Sequence, residues 1–72
     1  MKLRKKQKNM VENEIINRIG SFRVPTKDVI NDVYGIISRH IKGSKKNHVS
    51  GVISGMDKRG LISGKGGFCQ VI

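Results

Sequence analysis

The stretch Ser44-Lys45-Lys46-Asn47-His48-Val49-Ser50-Gly51-Val52-Ile53-Ser54-Gly55-Met56-Asp57-Lys58-Arg59-Gly60-Leu61-Ile62-Ser63-Gly64-Lys65-Gly66-Gly67-Phe68-Cys69-Gln70-Val71-Ile72 decides how the rest of the chain is read. Apolar residues at Val49, Val52, Ile53 and Met56 follow helical spacing. Ser44 is a suitable residue to cap the start of that helix, and Gly60 to end it. At roughly 100° per residue, Asn47, Ser50, Gly51, Ser54 and Lys58 point away from the apolar stripe. They form a polar face of small residues without carboxylates, of the kind that can approach a phosphate backbone. Beyond Gly60, residues 61–63 and 68–72 read as two strands. The glycine-rich tip over 64–67 suits a tight hairpin because glycine adopts positive φ without steric cost.

This segment resembles the second half of a winged-helix DNA-binding domain, in which a recognition helix ends in a basic, glycine-closed phrase and feeds the wing. Met56-Asp57-Lys58-Arg59-Gly60-Leu61-Ile62 is similar to that phrase. The resemblance implies an α+β fold over residues 9–72, with three helices and a C-terminal β-hairpin wing. The long spacing before the third helix is also similar to that of linker-histone globular domains, which end in a glycine-rich wing as well.

A chain of 72 residues makes one domain and buries only about 60% of its unfolded surface, which is too little to enclose a deep enzyme cleft. Fifteen Lys and Arg against five Asp and Glu give a formal charge of +10, a field that attracts polyanions. Charge sets the sign of the partner and not its identity, since anionic lipid or a ribosome would also be attracted. Two further features argue against a membrane span and against export. There is no apolar run near the ~18 residues needed to span a bilayer, and no apolar stretch of a signal peptide follows the basic start. The expected location is the cytoplasm, associated with the nucleoid, in a prokaryote or in the host cell of a virus that encodes the protein. The single cysteine, Cys69, falls in an alternating strand, where a small buried hydrophobe is the expectation.

Residues 1–8 carry five positive charges without apolar periodicity and read as a flexible, solvated basic arm, with Lys2, Arg4, Lys5 and Lys6 available to phosphates. Over 9–19, Val11, Ile15, Ile16 and Ile19 form one stripe, with Glu12 and Glu14 in the expected first turn and Gly20 as the stop. Residues 21–24 read as a short strand before Pro25. Thr26 is the expected N-cap of a long second helix carrying Val29, Ile30, Val33, Ile37 and Ile41, with Gly35 in its middle at a cost of roughly 1 kcal/mol relative to alanine. A rival register makes Gly35 the turn of a plain helix-turn-helix, but leaves 44–72 without a role.

Placed in the major groove, the third helix would use Lys45 and Lys46 on phosphates, Asn47 on adenine, and Ser50, Gly51 and Ser54 at close range. Lys65 at the wing tip would meet a phosphate or the minor groove, Lys58 and Arg59 beside the wing would add backbone contacts or stay solvated, and His48 is expected half-buried. No catalytic constellation emerges. The carboxylates sit in helix turns, and His48, Ser54 and Asp57 share one helix with diverging side chains. His40, His48 and Cys69 lack zinc spacing, and Ser63-Gly64-Lys65-Gly66-Gly67 lacks the order of a phosphate-binding loop. Neither enzyme activity nor a cofactor or metal is expected. The leading expectation is a double-stranded DNA-binding transcriptional regulator of bacterial, phage or archaeal type. Homodimerisation and a polymerase contact are left open. The alternatives are a winged helix that docks on protein, and an RNA- or ribosome-binding protein, for which Phe22, Tyr34 and Phe68 are few stacking platforms.

Overall fold

The apolar stripes of the three helices converge on one core. A computed structural model describes residues 3–72. In it, helix α1 spans Lys5–Ile19, strand β1 Val24–Pro25, helix α2 Thr26–Ile37, helix α3 Lys46–Lys58, strand β2 Ile62–Ser63 and strand β3 Phe68–Val71. Val11, Ile15 and Ile19 of α1, Val29, Val33 and Ile37 of α2, and Val49, Ile53 and Met56 of α3 are all buried. Each such side chain contributes roughly 1.5–3 kcal/mol relative to exposure. The sheet order is β1-β3-β2, antiparallel throughout, with Val24 opposite Cys69 and Ile62 opposite Val71. Inward-facing Val24, Ile62 and Cys69 complete the core. The result is the expected α+β arrangement of three helices and a C-terminal hairpin, a winged-helix-like topology.

Several boundaries differ from the sequence expectations, each for a local reason. Helix α1 begins at Lys5 and not at residue 9, so Lys5, Lys6 and Lys8 belong to a helix and not to a flexible arm. Leu3 is buried against the core, and the Arg4 amide donates to Gln7 Oε1 at 2.8 Å, which anchors the extra turn. Glu12 and Glu14 therefore lie in mid-helix, and dipole complementation does not explain them. Helix α2 runs unbroken through Gly35 but stops at Ile37. Ile41 lies past its end, buried in the following turn, where its amide donates to the Ile37 carbonyl at 2.7 Å. Thr26 is the first helical residue and not the cap; its hydroxyl lies 3.2 Å from the Cys69 sulfur, which is buried as expected.

Gly60 ends α3 as expected. Its φ is +77°, its amide donates to the Asp57 carbonyl, and the Leu61 amide reaches back to the Met56 carbonyl at 3.0 Å. That pair of bonds is a Schellman motif, and it turns the chain directly into β2. The hairpin tip is a 3-10 turn over Lys65–Gly67, with Gly66 and Gly67 both at positive φ.

Two glycine substitutions should therefore have opposite signs. Gly35 is exposed, helical, and has open space where a Cβ would stand, so Gly35→Ala should stabilise the fold by roughly 0.5–1 kcal/mol. Gly60→Ala forces a side chain into the left-handed region and should cost roughly 1–2 kcal/mol. Urea unfolding followed by circular dichroism measures both.

Candidate nucleic-acid interface

The side of α3 opposite the core is uncovered. Asn47, Ser50, Gly51, Ser54 and Lys58 are all exposed, while Val49, Ile53 and Met56 behind them are buried and Val52 is half-buried. A Cβ on Gly51 would meet nothing within 4 Å, so the backbone there is open to close approach. Asp57, the carboxylate of this helix, turns toward the start of the wing: a Cβ on Gly64 would lie 3.5 Å from its Oδ2.

The beginning of α3 is built differently from the sequence expectation. Lys45 is the N-cap, and Ser44 is 8% exposed inside the preceding turn, its hydroxyl without a partner among the described residues. The work of capping passes to His48, whose Nδ1 accepts the Lys45 amide at 2.9 Å. The imidazole is half-buried, as the sequence predicts. The bond is one half of a capping box. The reciprocal half needs an acceptor at the cap, which a lysine side chain does not have. Lys45 and Lys46 remain exposed beside the positive end of the helix.

The N-terminal half of α1 lies along α3. The two helices border an open groove of about 500 Å³, with Lys8 on one side and Asn47, His48 and Gly51 on the other. Lys8 was not singled out by sequence, because only the interhelical packing brings it beside the α3 face. Arg4, Lys5 and Lys6 are exposed nearby in sequence, and Lys2 lies outside the described residues. Arg59, expected beside the wing or in solvent, instead pairs with Glu12 of α1 at 2.9 Å. Arg18 of α1 pairs with Asp32 of α2 at 2.6 Å. Both pairs link helices at the surface, where such contacts are worth about 0–1 kcal/mol. They also withdraw two arginines from the charge available to a partner.

The wing contributes Lys65, exposed at the tip. Beside it stands Arg23, which sequence reasoning also missed: its guanidinium carbon lies 4.6 Å from the centre of the Phe68 ring. The two residues are brought together by the pairing of β1 with β3, which no local pattern around Arg23 announces. Among the described residues, no cluster of three His, Cys, Asp or Glu side chains is arranged to hold a metal ion, and no helix is long and apolar enough to cross a membrane.

The altered cap makes a testable contrast. His48→Ala removes the acceptor for the Lys45 amide and should cost roughly 0.5–2 kcal/mol, whereas Ser44→Ala removes a buried hydroxyl without a partner and should be neutral or stabilising by up to about 1 kcal/mol. Thermal melts of the two variants separate these outcomes. In comparisons with known proteins, no family model, no curated protein and no solved structure matches this chain, so its function is argued from its own residues.

Proposed function

We propose that this protein is a double-stranded DNA-binding transcriptional regulator of the winged-helix type that acts in the nucleoid of a prokaryote or of a virus-infected host. In this reading α3 enters the major groove, while the wing and the basic start of α1 hold the backbone. The observation that carries the proposal is the composition of the uncovered side of α3: exposed Asn47, Ser50, Gly51, Ser54 and Lys58, with Lys45 and Lys46 at one end and the basic wing at the other. A formal charge of +10 supplies attraction to phosphates over a distance of about one Debye length. Lysines at the start of α3 would neutralise phosphates, and the Asn47 amide can pair bidentately with adenine. The helical start of α1 refines the proposed role of the basic segment. Lys8 would act from a rigid element alongside α3, with Arg4, Lys5 and Lys6 spread around its first turn, and not from a trailing arm.

A second reading, docking on polymerase or another protein, is favoured by one feature. Leu61 and Ile72 are exposed at the base of the wing, where the Ile72 amide donates to the Leu61 carbonyl at 3.3 Å and sets the two residues opposite each other. Directly opposed residues share a sheet face, so the two form a small apolar patch.

The deciding experiment measures binding to random duplex DNA, single strands and structured RNA over a salt series, followed by selection of preferred duplex sequences. The expected result is duplex preference with enrichment of one motif. Binding to RNA or single strands in preference to duplex would overturn the proposal. The variant with both Lys45→Ala and Lys46→Ala should weaken binding to every duplex and reduce the slope of log affinity against log salt by about 1.8, at about 0.9 per phosphate contact. Asn47→Ala should leave the slope unchanged and lose roughly 1–3 kcal/mol of discrimination at one base pair.

A further inference from the structure

We propose that Arg23 is a phosphate-gripping residue beside the wing and that Phe68 is the positioning residue that holds it ready for a backbone phosphate of duplex DNA. The inference rests on the duplex-DNA reading and adds to it a contact from outside both α3 and the hairpin. Strand alternation places the pair. Val24 and Cys69 are an inward-facing, buried cross-strand pair, while Pro25 and Phe68 are the exposed outward pair beside them. Arg23, one residue before Val24, therefore emerges on the outer face with Phe68. Its guanidinium lies over the ring at 4.6 Å, inside the ~6 Å reach of a cation–π contact.

The same guanidinium reaches the wing tip: a Cβ on Gly66 would sit 3.7 Å from Arg23 Nη2. Gly66 follows Lys65 in the tip, so the guanidinium stands beside the backbone of the segment that carries Lys65. Arg18 and Arg59 are bound to carboxylates, whereas Arg23 has no carboxylate partner among the described residues. A cation–π contact supplies no oxygen acceptor, so the guanidinium keeps N–H donors for a phosphate. Those donors match phosphate oxygens in geometry as well as charge. An arginine already lying on an aromatic ring has surrendered part of the rotamer freedom that binding would otherwise remove.

The test is fluorescence anisotropy of the full chain on a mixed-sequence duplex over a salt series, with circular dichroism melts to confirm folding. Arg23→Gln should weaken binding and lower the salt slope by about 0.9. Phe68→Leu changes no charge yet should weaken binding roughly two- to fivefold, the equivalent of one cation–π contact, and should have no further effect when combined with Arg23→Gln. Phe68→Tyr keeps the ring and should retain wild-type affinity, which maintains the test if the leucine variant unfolds. An Arg23→Gln slope equal to that of the wild type, or losses from Arg23→Gln and Phe68→Leu that simply add, would reduce the contact to a structural clasp and overturn the inference while the duplex reading stands. Failure of the wild-type chain to bind duplex would overturn both.

Discussion

The pairing of β3 with both β1 and β2 is the constraint on which the rest of the structure depends. Strand β3 is the last element of the chain, yet it is the central strand, hydrogen-bonded to the extended piece between α1 and α2 on one side and to the hairpin partner on the other. Its inward residue, Cys69, is fully buried beside the Thr26 hydroxyl at the start of α2. One strand thus ties the wing to the helical core at the point where α2 begins. Without that tie the hairpin would be a two-stranded ribbon, and such ribbons are marginal in water. With it, the wing has a defined direction relative to α3, because the Schellman turn at Gly60 fixes one end of the hairpin and β1 fixes the other.

The electrostatics follow from scarcity. Five carboxylates face fifteen Lys and Arg, and among the described residues two of the five are engaged in interhelical pairs with Arg59 and Arg18. Self-repulsion among the remaining cations opposes compaction. It is offset by a core of Val, Ile, Leu, Met and Cys side chains that draws on every helix and strand. The radius of gyration, 11.0 Å, is near the ~11 Å expected of a fully packed chain of this length. The protein therefore carries a concentrated positive charge on a framework with little core to spare, and an anion that binds the folded state would stabilise it by mass action.

Much of this arrangement was legible in the sequence, because apolar spacing is a direct consequence of burial. Val49, Ile53 and Met56 could be read as core, and the residues between them as an exposed face, from periodicity alone. Cys69 could be read as buried from strand alternation. The misreadings share a different physical origin. Residues 5–8 have no apolar periodicity of their own and are helical because Leu3 ahead of them is buried and Gln7 receives the Arg4 amide. Ser44 has the chemistry of a cap, but the turn after α2 carries it inside, and His48 takes the role one turn later. Lys8, Arg23, Glu12 and Arg59 acquire their neighbours through packing between elements distant in sequence, for which a local pattern has no signal. The fold was thus more legible than the candidate interface, since the fold is set by repeated burial and the candidate interface by a few unique contacts.

The lengths of the strands have a consequence for behaviour in concentrated solution. The two outer strands, β1 and β2, are two residues each, and one of those four residues is Pro25, which has no amide to donate. The four-residue strand between them is paired with β1 at Phe68 and Cys69 and with β2 at Gln70 and Val71. A foreign strand that approached either side of the sheet would find little ladder to extend, and the formal charge of +10 would repel another copy of the chain. The fold thus carries its own protection against edge-to-edge aggregation, which a small, highly charged protein with few core residues would otherwise risk each time it partly opened.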